Sequence, residues 1–210
     1  MFHKEILSAH QIELLPVIKN FRRNYYLVGG TAIALQLGHR RSIDFDLFTK
    51  KKVNKNKIKN DIRKFGFQIN KVIYEEEGEL HMSVHSVRMT FFNFSYDVNS
   101  SIDFDSIIYM PPLIDLASMK AFAFGQRAKW KDYVDMYFLF KNGFSLPEIS
   151  ARCEELFNTE SSFVYSEKLF RQQLSYFGDI DYSDSVEYIG AEIPEQEIKD
   201  YLVKVATQPF

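Results

Sequence analysis

Residues 27–48 read LVGGTAIALQLGHRRSIDFDLF. Tyr25–Val28 is a short apolar run that stops at Gly29-Gly30, as a buried strand does on meeting a turn. Thr31–Leu37 favours a helix, and Gly38 is suited to end it. Ile43–Phe48 alternates apolar and acidic residues with the period of a strand, so Asp44 and Asp46 share one face. Glycines at a strand–helix junction let a phosphate approach the backbone, and the helix start adds unpaired N–H groups and a favourable dipole. Thirteen residues separate Gly30 from Asp44, room for a two-turn helix and a return loop that sets the second strand beside the first. Two same-face carboxylates two residues apart can hold Mg²⁺ through oxygen. Phosphates over the glycine turn and a metal on the D-x-D strand make a nucleoside-triphosphate site. A Gly-Gly pair or a D-x-D alone is common on ordinary surfaces; in this order and spacing the two favour a catalytic site.

Outward from this stretch, residues 8–22 carry apolar positions at helical spacing, and Pro16 predicts a break or kink there. Asn54–Phe65 reads as a basic helix and Phe67–Tyr74 as the strand after it. Glu75–Gly78 reads as a turn, and Glu79–His85 and Val87–Phe94 as two strands. The order implies a mixed sheet with helices packed on it. From Pro111 the texture is helical: Leu113–Gln126, Asp132–Lys141, Leu146–Phe157, Ser166–Tyr176 and Gln196–Val205. The expected fold is α/β (α+β), with an α/β domain over residues 1–110 and a helical domain over residues 111–210.

The chain has 210 residues, enough to bury a full core. Its one cysteine, Cys153, excludes an intramolecular disulfide framework and a cysteine-based zinc site. The opening residues MFHKEILSAH are charged and lack the apolar run of a signal peptide, and no stretch has the apolar length to span a bilayer. A cytoplasmic protein without membrane contact is expected. The net charge of −2 hides an asymmetry. From Lys50 to Lys64 eight basic residues stand against one acid, Asp61; from Asp179 to Asp200 eight acids stand against one base, Lys199. Such blocks read either as solvated surfaces or as an electropositive working face and an acidic tail.

The glycine turn followed by D-x-D resembles the nucleotidyltransferase fold of the DNA polymerase β superfamily. More closely, it is similar to the AbiEii/AbiGii toxin family of abortive-infection and toxin–antitoxin systems. Members read G-G-T-A-L and then H-R-x-S-x-D-x-D-L-F; here Gly29, Gly30, Thr31, Ala32, His39, Arg40, Ser42, Asp44, Asp46, Leu47 and Phe48 match. A D-[IL]-A-x-x-K pattern matches Asp115–Lys120. A further run, R-x-x-[KR]-D-[FLY]-x-D-[LM]-Y-x-L, matches Arg127, Lys131, Asp132, Tyr133, Asp135, Met136, Tyr137 and Leu139. Gln172–Asp179 resembles a run found in one branch, so the likeness spans about residues 25–180.

The resemblance implies an Mg²⁺-dependent (or Mn²⁺-dependent) nucleotidyltransferase moving an NMP from NTP to an acceptor, a tRNA 3′ end or a protein hydroxyl. It implies a toxin with a cognate antitoxin as partner. Gly29 and Gly30 would cradle the triphosphate, with Thr31, Arg40 and Ser42 close by. Asp44 and Asp46 would ligate the metal. Lys120 would neutralise phosphate charge. Asp132 matches the family's last catalytic acid, and Asp135, on the same helical face, would orient Lys120 or Arg127. The helical half would thus complete the active-site cleft. On the residues alone, Asp132 and Asp135 read instead as acids pairing with Lys129 and Lys131. His39 reads as a structural hydrogen-bonder, since no second histidine is suitably spaced for a metal.

One position departs from the superfamily pattern. The strand Val87–Phe94 carries no acid where a third carboxylate is usual; Thr90 stands there. Asp132 is the expected substitute as general base, and Asp97 a weaker one. A second reading follows from the same gap: a degenerate transferase fold that binds nucleotide or a partner without turnover. Neutralising Lys51, Lys52, Lys55 and Lys57 tests whether the basic block lines an acceptor groove, because phosphate contacts of that kind weaken with salt.

Overall fold

The computed structural model describes residues 1–124, 128–158 and 165–209. The chain divides into two compact units, Met1–Pro112 and Leu113–Phe210.

The first unit begins with a 3-10 turn, Lys4–Ile6, and helix α1, Ala9–Phe21. A capping box starts α1: the Gln11 N–H donates to Ser8 Oγ at 3.2 Å, and the Ser8 N–H donates to Gln11 Oε1 at 3.0 Å. The helix runs on through Pro16, where the sequence predicts a break or kink. Leu14, Val17, Ile18 and Phe21 are buried along it. Each contributes roughly 1.5–3 kcal/mol of burial, which together outweighs the loss of about 3 kcal/mol at an internal proline.

The sheet strands follow: β1 (Tyr26–Val28), β2 (Asp44–Thr49), β3 (Ile69–Glu76), β4 (Glu79–Val84), β5 (Val87–Asn93), β6 (Ile102–Phe104) and β7 (Ile108–Met110). Helix α2, Gly29–Leu37, joins β1 to β2, and α3, Lys55–Lys64, joins β2 to β3. The spatial order is β3-β4-β5-β2-β1-β7-β6. The pairs β2–β5 and β1–β7 are parallel and the other four antiparallel, the mixed sheet expected of an α/β fold. The β4–β5 hairpin turns on His85 and Ser86, both with positive φ, as a two-residue turn of the primed type requires. Strand β3 runs two residues past the predicted Tyr74. The predicted elements did not include β6 and β7; at three residues each they are too short to show a period.

Strand β2 lies at the middle of the sheet. Phe45 and Leu47 are fully buried on one face, with Leu80, Met82, Met89 and Phe91 from β4 and β5. Asp44, Asp46 and Phe48 alternate onto the other, half-buried face.

The second unit holds five of the eight α-helices among the described residues: α4 (Leu113–Phe124), α5 (Trp130–Lys141), α6 (Leu146–Phe157), α7 (Glu167–Leu174) and α8 (Glu195–Ala206). Helix α4 packs on α5, α6 and α7, while α8 packs on α5 and α7. Phe124, Tyr133, Phe157 and Phe170 are its largest fully buried side chains among the described residues. Helix α6 starts with a Ser145/Glu148 capping box and a proline in its first turn.

Candidate active site

The order strand–glycine–helix–strand places seven motif residues around one junction. Gly29 opens α2 with φ +72°, a conformation that side-chain-bearing residues rarely adopt. A β-carbon on Gly29 would overlap Asp46 Oδ2 and sit 3.2 Å from its Cγ. A β-carbon on Gly30 would sit 2.5 Å from Arg40 Nη2 and 3.2 Å from Ser42 Oγ. The two glycines therefore clear room for a carboxylate and a guanidinium at the start of a nine-residue helix. Thr31 Oγ1 reaches Ser42 Oγ at 2.9 Å and also the backbone carbonyl of Asp44, tying α2 to the head of β2. Thr31, Arg40 and Ser42 are buried, and so is His39. Arg40 Nη1 donates to the Arg41 carbonyl at 2.9 Å, which helps hold the guanidinium in place.

The junction combines donors with acceptors. Arg40 and the first N–H groups of α2 favour anionic oxygen. Asp44 and Asp46 favour a cation. Among the described residues no group of three His, Cys, Asp or Glu side chains is placed to hold a metal. Two carboxylates suit Mg²⁺, which completes its octahedron with substrate phosphates and water and seldom uses an all-protein cage. The donor set thus fits the ion that the motifs imply.

Across the ladder, Asp46 stands opposite Val28 on β1 and opposite Thr90 on β5, while Asp44 stands opposite Arg88. Thr90 in turn faces His81 on β4. Residues opposite one another share a face. The sequence reading did not single out His81; the alternation of Glu79, His81 and Ser83 against buried Leu80, Met82 and Val84 carries the signal that they line this face.

In the second unit, Lys120 of α4 lies between two acids of α5. Its Nζ is 2.6 Å from Asp132 Oδ1 and 2.7 Å from Asp135 Oδ2, and the three side chains are 6%, 3% and 0% exposed. The alternative partners for these acids, Lys129 and Lys131, are placed on Asp184 instead, each at 2.9 Å. Those two lysines, Lys131 first, hold the Asp184 carboxyl well below its ordinary range. Part of the acidic stretch is thus engaged on α5 of its own unit. Asp115 of the D-L-A-x-x-K run takes a two-pronged bond from Arg152, at 2.7 and 3.1 Å. Arg127 lies outside the described residues.

The basic block of α3 meets acids of its own unit. Lys59 Nζ is 2.6 Å from Glu75 Oε2, Lys57 Nζ is 2.6 Å from Asp61 Oδ2, and Lys50 Nζ is 3.2 Å from Asp97 Oδ1. Much of the local positive charge is offset in this way.

Comparison with known proteins gives three findings. Residues 17–202 match the family model described as nucleotidyl transferase AbiEii toxin, type IV toxin–antitoxin system. An uncharacterised Aquifex aeolicus protein is 30% identical over 190 residues, covering 85% of this chain and 88% of the other. Among solved structures, the nucleotidyltransferase toxin MenT4 of Mycobacterium tuberculosis aligns with a TM-score of 0.63 at 10% identity, over 95% of this chain and 85% of that one. A Helicobacter pylori protein titled a putative nucleotidyltransferase aligns with a TM-score of 0.57 at 17% identity, over 94% and 91%. No helix among the described residues is long and apolar enough to cross a membrane.

Proposed function

From a chain that belongs to the AbiEii family of nucleotidyl transferase toxins, and is a nucleotidyltransferase, we propose a Mg²⁺-dependent transfer of an NMP from NTP to an acceptor hydroxyl. The acceptor is that of a tRNA 3′ end or of a protein side chain. The protein acts in the cytoplasm and is held in check by a cognate antitoxin. One observation carries the reading: the Asp46 carboxylate lies against Gly29 at the start of α2, with Asp44 on the same strand face.

Gly29 and Gly30 admit the triphosphate to the backbone at the start of α2. Arg40 and the helix N–H groups take its negative oxygens. Ser42 and Thr31 brace the strand that carries Asp44 and Asp46. Asp44 and Asp46 would hold Mg²⁺, which would supply charge neutralisation to the phosphates. Within the helical unit, Asp132 and Asp135 fix the Lys120 ammonium in position. Most of the rate then comes from positioning and electrostatic stabilisation.

The test uses the purified chain, each labelled NTP, Mg²⁺ and total tRNA, beside the double variant Asp44→Ala/Asp46→Ala. Label enters tRNA or the protein itself with the unaltered chain only. Thr90 opposite Asp46 favours a second reading, a binding module without turnover. That reading predicts NTP binding with no label transferred.

A further inference from the structure

The β2 register sets the glycine turn and the β5–β4 strands on opposite sides of one strand. Strand β1 and the glycine turn flank β2 on one side, and β5 then β4 flank it on the other. With the triphosphate over Gly29–Gly30, the pyrophosphate leaves toward the β1 side. In-line attack then brings the acceptor hydroxyl from the β5–β4 side. The group that takes its proton must stand there.

Strand β5 offers no acid on that face: its residues are Arg88, Thr90 and Phe92. The next strand offers a histidine. His81 of β4 is the ladder partner of Thr90, as Thr90 is of Asp46, so Asp46, Thr90 and His81 form one row across the sheet. At a strand spacing of about 4.8 Å the His81 backbone is roughly 10 Å from that of Asp46. Thr90 is buried and shorter than a carboxylate. His81 Nε2 is in hydrogen-bond contact with Glu79 Oε1 on the same face. Both side chains are 28% exposed, open to an acceptor yet held. The ring packs edge-on against Tyr74 of β3, centroids 5.7 Å apart. Among the described sheet residues, the other charged groups on this face are Lys71 and Glu76 of β3, opposite Ser83 and Glu79, Arg88 of β5 and Asp44 of β2.

We propose that His81 is the general base of the transfer, oriented by Glu79, in place of the carboxylate that Thr90 replaces. The proposal rests on the nucleotidyltransferase reading above. Glu79 accepts from Nε2–H, which leaves Nδ1 as the proton acceptor. The acceptor O–H gives its proton to Nδ1 as its oxygen bonds to the α-phosphorus. The bond from that phosphorus to the α,β-bridging oxygen breaks, and pyrophosphate departs with the electron pair. Glu79 stabilises the imidazolium, which returns its proton to water. Asp132 is less suited to this role, since its carboxylate is buried and bonded to Lys120.

The experiment measures label transfer from NTP to total tRNA and to the protein itself, from pH 5 to 9, for the unaltered chain and for His81→Gln, His81→Ala and Glu79→Gln. NTP binding and the unfolding midpoint are measured alongside. The unaltered chain shows a rate that rises with pH through the histidine range. His81→Gln binds NTP normally, loses about 10²-fold or more in kcat and loses the rising limb. Added imidazole restores part of the His81→Ala rate. Glu79→Gln lowers kcat while NTP binding holds, because the ring loses the carboxylate that orients it. If the unaltered chain transfers label and His81→Gln keeps both its rate and its pH profile, His81 is not the base and the transferase reading stands. If the unaltered chain transfers nothing to either acceptor, that reading falls and the base assignment with it.

Discussion

The carboxylate of Asp46 occupies the space that a β-carbon on Gly29 would fill. Strand β2 and helix α2 can approach this closely only because position 29 has no side chain. Gly29→Ala is expected to meet two penalties together. The left-handed backbone alone costs about 1–2 kcal/mol, and displacement of Asp46 adds to it and moves a carboxylate proposed to hold the metal. Denaturant unfolding and label transfer measure the two. Gly143→Ala is the control: it has φ +100° but nothing within 4 Å, so it loses stability and keeps transfer.

Asp135 is fully buried and bonded to Lys120. Asp135→Ala leaves a hole and an unmade hydrogen bond beside a buried ammonium that keeps Asp132, and is expected to destabilise the chain by about 1–3 kcal/mol. Asp44→Ala, on a half-buried strand face, is expected to abolish transfer with little change in unfolding midpoint. A Lys120 cluster without structural weight would show equal midpoints for the two variants.

Asp184 lies between Lys131 and Lys129, which depress its pKa below the ordinary 3.8. A carboxyl whose folded pKa is lowered adds stability above its unfolded pKa and loses that contribution as pH falls toward the folded value. Asp184→Asn should therefore lie below the unaltered chain in stability near pH 6. The gap should close on acidification below about pH 4. Urea titrations across this range measure the difference, and a constant gap at every pH would exclude an electrostatic origin.

Cys153 is fully buried on α6, and burial pushes its thiol up to about 12. The thiolate is the reactive form, so iodoacetamide should fail to label the native chain at pH 8. Labelling should appear only as denaturant unfolds the helical unit. Fast native labelling would show that α6 opens on its own.

Local signals in the sequence marked the site's first half. The Gly29-Gly30 stop and the alternation of Asp44 and Asp46 each act over a few residues, so they are legible in one dimension. The break expected at Pro16 did not occur, because burial of Leu14, Val17, Ile18 and Phe21 is a tertiary term that exceeds a local preference. Strands β6 and β7 were illegible for the same reason: three residues form a strand only when a neighbour supplies the hydrogen bonds.

Composition, spacing and motif determined the fold class, the glycine turn, the same-face acids and the Lys120–Asp132 pair of positions. Only the tertiary structure decided which charges meet. Lys120 took Asp132 and Asp135, Lys129 and Lys131 took Asp184, and the basic α3 took Glu75 and Asp61. Only strand register decided that Thr90 stands opposite Asp46 and that His81 comes next in the row. Pairing across strands and helices joins residues far apart in the chain, and a one-residue slip would turn each side chain to the other face. That information resides in the assembled sheet and not in any single strand.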